Sequence, residues 1–415
     1  MKLTAAGVCV STVVLASTMM LADDERSREG VPRLDHVFVI MMENHSYSQI
    51  LNNPNAPFAN ALARSANTAT NYFAIAHPSL TNYLEVVGGS NFGVLSDNNP
   101  AWHDASCATN LSLGIANTDN PQSPSVCPIW GAGMDAATPR FDTTNEIVPP
   151  TITSVTNIDG VRPAIPAART VGKTIGDQLA EHGMRWKSYQ ESLPPAGADG
   201  VNFADGFFTD GTDIPGVLPG EAQGLIKLYA AKHNPFVYFR SVQEGSDPRN
   251  SLANVVGFEG AHGLFDDLIS GHVPELSFIA PNQCNDQHGR DNAGPACDFD
   301  PNDDGTQSHL NPALIYMGDA ALRTLIKAIH DSPVWRDGRN AIVVLWDEND
   351  YSATPITNHV LTIVDTNYGV EPVQSARFYT HFSLLKTLEA GFGLPCLNHA
   401  CDAGVQAMSD LFRDR

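Results

Sequence analysis

The chain has 415 residues, and 46 acidic against 24 basic side chains give it a formal net charge of −22 at pH 7. A protein this acidic is repelled by nucleic acid and by anionic lipid surfaces, so neither is expected as a stable partner. A phosphorylated substrate is also repelled at long range. A phosphate site in this chain would therefore need local cations, from a metal ion or from histidine.

The first 22 residues have the composition of an export signal. Lys2 gives a positive start, a run rich in Ala, Val and Leu follows, and small residues at Ala16 and Ala22 suit a signal peptidase. No later apolar run approaches the roughly 20 residues that a membrane span needs. We predict a signal peptide at residues 1–22 and a secreted or periplasmic protein without stable membrane association.

An apolar run at residues 37–42 stops directly at Glu43, Asn44 and His45. Its side chains are β-branched, aromatic or thioether, which is typical of a strand buried on both faces. A central strand of an α/β sheet is the preferred interpretation, with a helix cap or a turn as the alternative. Ligands in such sheets bind beyond the carboxyl ends of the strands, so these three polar residues lie where chemistry is expected.

The first part of the chain predicts a helix at residues 56–66, a short strand at 71–75 and a helix at 79–87. Residues 88–166 are rich in Asn, Pro, Ser, Thr and Gly, and we predict a loop-rich insertion there, a lid or cap held by a disulfide. No low-complexity linker or internal repeat divides the chain. We therefore expect a single domain over residues 23–415.

Regular alternation of helices and strands resumes at residue 171. Strands that alternate with helices at this spacing indicate a mostly parallel sheet with helices on both faces. The predicted order is helix 171–183, strand 185–189, helix 221–231, strand 236–239, helix 261–268, strand 276–279, helix 314–330, strand 341–346, strand 359–364 and helix 382–391.

Polar side chains follow or flank several of these strands. Each taken singly is more often structural than functional, but four strand ends with carboxylate, amide, imidazole and hydroxyl groups together are harder to dismiss. They carry Glu43 and Asn44; His77, Ser79 and Asn82; Asp286 and His288; and Asp347 and Glu348, while His233 precedes the strand at 236–239.

This set suits hydrolysis at phosphorus. Oxygen ligands from Glu43, Asn44, Asp347 and Glu348 can hold a divalent cation, which polarises a phosphoryl oxygen. Ser79 begins a predicted helix, where backbone amides also favour an anion. Its alternative role is simply that of an N-cap.

Seven segments of the chain resemble one enzyme family in the right order over residues 35–400. The resemblance is to the phosphoesterase family of bacterial and fungal acid phosphatases and phosphatidylcholine-type phospholipases C. It implies an alkaline-phosphatase-like three-layer α/β sandwich and a covalent phospho-enzyme on a Ser or Thr. The segments are MMENHSYSQIL, AHPSLTNYLEVVGG, TIGDQLAEHGMRWKSYQE, KHNPFVYF, NQCNDQHG, AIVVLWDEND and YTHFSLLKTLEAGFGLP.

The resemblance also assigns roles to single residues. Ser79 matches the hydroxyl residue of the family's P-[ST]-x-x-N pattern and is the expected nucleophile. His288 matches the family's histidine after the NQ segment, and Asn82 matches the amide of the P-[ST]-x-x-N pattern. Apart from the resemblance, their chemistry predicts that His288 and His233 bind phosphate or protonate the leaving alkoxide, and that His77, Asn82 and Asp286 contact substrate. Glu43 and Asn44 match the family's ENxS motif, and Asp347 and Glu348 match its acidic pair; they would hold one divalent metal ion of open identity.

A secreted acid phosphatase that acts on a small phosphorylated substrate is the first functional prediction. A phospholipase C is the second, and a non-enzymatic secreted protein that retains the fold is the third. The first is preferred because the chain is short for the phospholipase branch and has no added β-domain for a membrane.

Six cysteines remain outside the predicted signal peptide, and they fall as neighbouring couples. In an oxidising compartment the economical pairing joins neighbours, although the sequence alone does not choose among the pairings. The couples are Cys107 with Cys127, Cys284 with Cys297, and Cys396 with Cys401.

The segment DFDPNDDG begins like a calcium-binding loop at Asp300, Asn302 and Asp304. The twelfth position is Asn311 rather than the bidentate Glu that such loops use. A solvated turn is the preferred interpretation, and a structural calcium ion is the alternative.

Overall fold

The structure is a computed structural model of the chain. It describes residues 28–101, 117–118, 125–133, 170–193, 228–290, 293–301, 304–349, 358–369 and 371–413. The predicted signal peptide, most of the insertion at 88–166 and most of the helix expected at 221–231 lie outside these residues. The domain boundaries therefore stay a prediction.

The centre of the described part is an eight-stranded sheet in the order β13-β2-β12-β11-β1-β10-β8-β9. The remaining short strands form two-stranded pairs, β14 with β3, β4 with β5, and β6 with β7. The strands are β1 His36–Met42, β2 Asn67–Ala69, β3 Tyr72–Phe73, β4 Val94–Leu95, β5 Asn117–Thr118, β6 Ala132–Gly133, β7 Thr170–Val171, β8 Trp186–Gln190, β9 Val255–Gly257, β10 Leu276–Ala280, β11 Asn340–Trp346, β12 Thr362–Thr366, β13 Gln374–Ser375 and β14 Tyr379–Thr380.

Parallel pairing dominates this sheet. β1 runs parallel to both β10 and β11, and β8 runs parallel to β10 and β9. Only β12 breaks the pattern within the described sheet, because it is antiparallel to both β11 and β2. Every residue of β10 and β11, and all of β1 after His36, is buried. The predicted central strand and the mostly parallel α/β sheet are confirmed.

The helices lie in two groups, whose members contact one another. One group contains α2, α6 and α7, and the other contains α3, α4 and α8. The α-helices of the described residues are α1 Tyr47–Ile50, α2 Pro57–Ser65, α3 Ser79–Gly88, α4 Ile175–Glu181, α5 Arg240–Gln243, α6 Leu264–Ser270, α7 Pro312–Asp331 and α8 His381–Phe392, and short 3-10 helices include Ala231–His233 and Pro235–Tyr238.

These two groups cover opposite faces of the sheet. On one face Phe278 of β10 packs its ring edge-on against Tyr83 of α3. The strand register puts Trp346 of β11 on the other face, where its indole N–H donates to Gln287 Oε1 at 2.9 Å. Gln287 in turn donates to the carbonyl of Ile315 in α7 at 2.9 Å. The three-layer arrangement expected from the sequence is therefore present.

Residues at the helix ends determine where these helices begin and end. α3 begins after Pro78, its N-cap residue, which has an extended backbone, and it ends at Gly89 in the left-handed region with φ +69°. α8 ends in the same way at Gly393. Thr174 caps α4, and its hydroxyl accepts from the backbone of Asp177. Ser79 is thus fixed as the first residue of α3.

Several element predictions were wrong in detail. The strand expected at residues 236–239 is mostly a 3-10 helix, Pro235–Tyr238, because Pro235 starts a helical turn and a short buried apolar run has no period that separates the two structures. Phe239 follows this helix and forms an isolated bridge with Ile129. The strand expected at 71–75 is only two residues long and pairs with β14. The helix expected from 261 begins at Leu264, and the strand expected from 359 begins at Thr362.

Two of the three predicted disulfides are confirmed. Cys284 and Cys297 are joined with their Cα atoms 5.0 Å apart, and Cys396 and Cys401 with theirs 5.2 Å apart. Cys107 lies outside the described residues, so its pairing with Cys127 stays a prediction.

Within the described residues, no helix combines the length and apolar character needed to cross a membrane.

We expect removal of the Cys284–Cys297 disulfide to cost more stability than removal of Cys396–Cys401. The two bonds span 13 and 5 residues, and loop-closure entropy predicts losses of about 3 and about 2 kcal/mol in the free energy of unfolding. Urea unfolding of the two double Cys→Ser variants measures this. A larger loss for the shorter loop would contradict it.

Candidate active site

The carboxyl ends of β1 and β11 bring two pairs of polar residues together. Met42 and Trp346, the last residues of these neighbouring parallel strands, lie opposite each other, so Glu43 and Asp347 emerge side by side. The backbone N–H of Asn44 donates to Asp347 Oδ1 at 3.1 Å. Asn44 has a left-handed φ of +54°, a conformation that Asn tolerates better than most residues. The sequence rule for strand ends thus placed these residues correctly.

Ser79 lies against this acidic group from the other side. Its hydroxyl is within hydrogen-bond distance of two carboxylates, at 3.2 Å from Glu43 Oε2 and 3.3 Å from Glu348 Oε1. Ser79, Glu43 and Glu348 are each at most 4% exposed. The hydroxyl therefore has two adjacent acceptors that can take its proton.

Asn82 and His77 hold the loop that leads into α3. Asn82 Oδ1 accepts from the backbone N–H groups of Ile75 and Ala76, and its Nδ2 donates to Glu348 Oε2 at 2.9 Å. His77 Nδ1 lies 2.9 Å from the same oxygen of Glu348. Both residues meet at the predicted site, and the amide of Asn82 is used to position Glu348 and the loop before Ser79.

His233 lies between two carboxylates. Its Nε2 is 3.2 Å from Glu43 Oε1 and its Nδ1 is 3.1 Å from Asp286 Oδ2. Its ring stacks on Tyr83, whose hydroxyl donates a short hydrogen bond to Glu43 Oε1. Asp286 also accepts from the backbone N–H of His288 at 2.7 Å. These contacts join the end of β10 to the end of β1.

His288 connects the site to a lysine. Its Nδ1 lies 2.9 Å from the carbonyl of Gly289, so this nitrogen is the donor, and its Nε2 lies 3.1 Å from Lys232 Nζ. Lys232 also donates to Asp97 Oδ2 at 3.0 Å, and Asp97 Oδ1 accepts from the backbone N–H of Leu80 at 3.0 Å. Asp97 thus joins the lysine to the first turn of α3.

A hydrogen bond from the start of α8 fixes the acidic loop that follows β11. His381, the first residue of α8, has its Nε2 2.7 Å from the carbonyl oxygen of Asp347. Its Nδ1 lies 3.0 Å from the hydroxyl of Tyr72. Because the carbonyl can only accept, Nε2 is the donor and Nδ1 accepts from the tyrosine. This buried chain fixes the backbone that carries Asp347.

Burial is the main cause of the pKa shifts at the site. It raises the pKa of Glu43 and Asp286, and the nearby Asp347 charge adds to both shifts. Burial, followed by the charge of Glu348, raises the pKa of Asp347 to about 8. Lys232 acts in the opposite direction on all three carboxyls. Carboxyl groups crowded in this way favour either a proton or a cation between them.

The same burial keeps the imidazoles neutral. It lowers the pKa of His233, and it lowers the pKa of His288 to about 3, with Lys232 as the next cause in both cases. The expectation that a protonated histidine supplies positive charge here is not supported. Lys232 is the residue that carries it.

The donor set fits a divalent cation. Asn44 Oδ1 is buried and has no hydrogen-bond partner among the described residues, and it lies beside carboxylates that repel one another. Atoms of Glu43, His233 and His288 that could bind a metal also lie within 4.8 Å of one another. The predicted oxygen ligands and this second group share Glu43. The site therefore contains a candidate metal-binding group, which the sequence placed only in part.

Four residues that contact the candidate active site were not predicted from the sequence: Tyr83, Lys232, Asp97 and His381. Tyr83 follows Asn82 directly, and Lys232 precedes His233 within the KHNP segment, so their proximity to recognised residues was the available signal. Asp97 had no such signal.

The carboxylate of Asp300, a possible calcium ligand in the sequence, is engaged within the protein. Its Oδ2 lies 2.9 Å from His45 Nε2, and its Oδ1 accepts from the N–H of Asn311. Asn302 lies outside the described residues.

A family model described as Phosphoesterase family matches residues 50–395. The chain belongs to the phosphoesterase family. The resemblance seen in the sequence is confirmed, and the matched range includes Ser79, Asp347 and Glu348. It begins after Glu43 and Asn44, whose roles therefore depend on the geometry described above.

Two curated members of similar sequence are phosphatases. An acid phosphatase of Aspergillus fumigatus is 23% identical over 378 residues, which are 91% of this chain and 59% of that protein. A phosphatidylinositol-3-phosphatase of Mycobacterium tuberculosis is 24% identical over 378 residues, which are 90% of this chain and 82% of that protein. The chain thus spans about three fifths of the length of the fungal relative.

Among solved structures, a protein in the alkaline phosphatase superfamily from Vibrio parahaemolyticus is similar to this chain. The TM-score is 0.43 with 11% sequence identity, over 89% of this chain and 68% of that one. The fold class itself follows from the eight-stranded sheet and its two helical layers.

We expect the metal-free protein to lose stability as the pH rises from 7 to 8. A raised pKa means that folded Asp347 keeps a proton up to about pH 8, whereas the unfolded chain releases it near pH 4. The stabilisation is thus complete below about pH 4 and is lost as the pH rises through 8. The buried histidines, with lowered pKa values, act in the opposite direction only below about pH 6.5.

Urea unfolding in chelator at pH 7 and pH 8 measures this loss, which should be about 1 kcal/mol. Asp347→Asn should reduce the slope because it removes the titrating group. Excess divalent cation should reduce it as well, since a bound cation favours the ionised carboxylates. A flat profile in chelator would show that the carboxyls titrate alike in both states.

Proposed function

We propose that the protein is a phosphoric ester hydrolase, and most specifically a phosphomonoesterase of the acid phosphatase type that uses Ser79 as its nucleophile. The observation that carries the proposal is the position of the Ser79 hydroxyl. It begins α3 and lies within 3.3 Å of the carboxylates of both Glu43 and Glu348. A serine needs an adjacent base to act as a nucleophile, and this one has two.

Glu43, Asn44, Asp347 and Glu348 are proposed to hold one divalent metal ion. A bound divalent cation polarises a phosphoryl oxygen and favours the ionised form of a neighbouring hydroxyl. The oxygen-rich donor set suits a hard cation. His233, through its contacts with Glu43 and Asp286, positions the first of these carboxylates, and His381 positions the backbone of Asp347.

The reaction then has two steps. Ser79 Oγ forms a bond to phosphorus while the bond from phosphorus to the leaving oxygen breaks; the hydroxyl proton passes to Glu43 or Glu348, and the leaving oxygen takes up a proton from solvent. In the second step a water molecule forms the new bond to phosphorus and releases a proton to solvent, the Ser79 ester bond breaks, the Ser79 oxygen regains the proton held by the glutamate, and inorganic phosphate is released. Asn82 keeps Glu348 and the loop before Ser79 in place through both steps.

Both curated relatives are phosphatases, which supports a monoester as substrate. Phosphate release from p-nitrophenyl phosphate, compared with diacylglycerol release from phosphatidylcholine, separates this proposal from phospholipase C activity. A non-enzymatic protein would give neither product. The two disulfides are typical of oxidising compartments, which agrees with the proposed secreted or periplasmic location.

Ser79→Ala should lower phosphatase activity by several orders of magnitude, because removal of a covalent nucleophile leaves only the surrounding binding groups. Rapid acid quench of the parent with labelled substrate should leave phosphate on Ser79. Ser65→Ala is a matched control, since Ser65 is a helical serine on α2 whose hydroxyl donates to carbonyls of its own helix. Near-parent activity of Ser79→Ala, or label on a histidine, would reject the serine mechanism.

Asp347→Asn should remove most bound metal and most activity while the protein stays folded. The substitution keeps an oxygen that can accept from the Asn44 N–H but removes the negative charge that attracts the cation. Metal content after gel filtration, measured by elemental analysis, tests binding independently of activity. Asp365→Asn on β12 serves as the control for a lost carboxylate, because Asp365 pairs with His330 instead. Unchanged metal content in Asp347→Asn would contradict this ligand set.

A further inference from the structure

Lys232 is held at the site by two partners. Its Nζ donates to Asp97 Oδ2 at 3.0 Å and lies 3.1 Å from His288 Nε2. Its side chain is only 12% exposed, and that of Asp97 is 25% exposed. A lysine pays considerable side-chain entropy to be held in one geometry. The ammonium group of Lys232 is therefore largely buried beside the candidate site and held in one position by its contacts.

The charge of Lys232 reaches the reacting groups. It lowers the pKa of three buried carboxyls, Glu43, Asp286 and Asp347. Asp97 bridges Lys232 to the backbone N–H of Leu80, the residue next to Ser79. The donors that Asp97 engages, an ammonium group and an amide in the first turn of a helix, are the two kinds of group that bind phosphate in proteins.

A phosphomonoester makes a special demand on this site. Its phosphoryl group carries a charge near −2 at neutral pH, whereas a phosphodiester carries −1 and has one fewer free oxygen. The chain has a net charge of −22, and the buried carboxylates of Glu43 and Glu348 lie against the Ser79 hydroxyl. The second negative charge of a monoester therefore needs a cation in addition to any metal.

We propose that Lys232 binds the additional negative oxygen of a phosphomonoester and so makes the site selective for monoesters over diesters, with Asp97 as the counter-ion that the substrate displaces. This inference rests on the proposed phosphatase function and specifies its substrate class. Lys232 pairs with Asp97 when no substrate is bound, which keeps the ammonium ordered. A dianionic phosphoryl group competes for Lys232 better than a monoanionic diester, because the attraction scales with the charge.

The test compares two substrates with the same leaving group, p-nitrophenyl phosphate and methyl p-nitrophenyl phosphate. Lys232→Met removes the charge and keeps a long unbranched side chain. It should lower kcat/KM for the monoester by about 100-fold, as expected for a lost donor to a charged transition state, and should lower kcat/KM for the diester much less. Lys232→Arg should recover part of the monoester rate.

Asp97→Asn should act in the opposite direction. The amide oxygen can still accept from the Leu80 N–H, so the start of α3 keeps its contact, but the charge of Lys232 is no longer compensated. Competitive inhibition by inorganic phosphate should strengthen about threefold, and the ratio of monoester to diester rates should rise. Lys187→Met is the matched control, since Lys187 of β8 pairs with Asp267 of α6 instead. It should change neither the inhibition by phosphate nor the ratio of monoester to diester rates.

Equal losses for both substrates in Lys232→Met, or an unchanged ratio in both Lys232→Met and Asp97→Asn, would overturn the proposal. Failure of the phosphatase function itself looks different, because the parent would then not hydrolyse p-nitrophenyl phosphate. In that case calorimetric titration with inorganic phosphate still decides: weaker binding by Lys232→Met and stronger binding by Asp97→Asn support the lysine anchor, and equal binding by all three proteins rejects it.

Discussion

The burial of several carboxylates around one serine is the constraint on which the rest of the site depends. Glu43, Asp286 and Asp347 are each at most 1% exposed, and their pKa values are raised because burial and mutual repulsion disfavour the charged forms. Such a group is stable only if its oxygens are engaged by donors, protons or cations. Tyr83 and the backbone N–H of Asn44 supply donors from the protein. The carboxylate oxygens that these donors leave over are the proposed ligands of a divalent cation.

The sheet and one helical layer together hold the buried carboxylates in place. The parallel register of β1 and β11 brings Glu43 beside Asp347, and α3 closes the site from one helical layer with Ser79 at its first residue. The bond from His381 to the Asp347 carbonyl joins α8 to the same point. Because each of these elements is also part of the core, its packing stabilises the crowded carboxylates. Loss of a single contact should therefore affect geometry at the site before it affects the fold.

The sequence predicted the parts of the site that follow from strand ends and helix starts. Uninterrupted apolar runs identified β1 and β11, and the Ser after Pro78 identified the start of α3. The rule that parallel strands end at one edge placed Glu43 beside Asp347. The prediction of a strand failed at residues 236–239, where Pro235 and the three buried residues after it form a 3-10 helix, since a run this short fits either structure. That turn is part of the segment that carries Lys232. The pairing of Lys232 with Asp97, 135 residues away in the chain, has no local signal at all.

The same burial explains why lysine, and not histidine, supplies the positive charge. An imidazole has an ordinary pKa near 6.5, so the desolvation that acts on His288 is enough to make it neutral at physiological pH. A lysine begins from a pKa about four units higher, near 10.4, so a larger shift is needed before its charge is lost. Lys232 also keeps partial access to solvent and a carboxylate partner, which reduces the cost of its charge. In a chain of net charge −22, a site that binds a dianion therefore requires a cation whose charge survives burial, and Lys232 beside His288 meets that requirement.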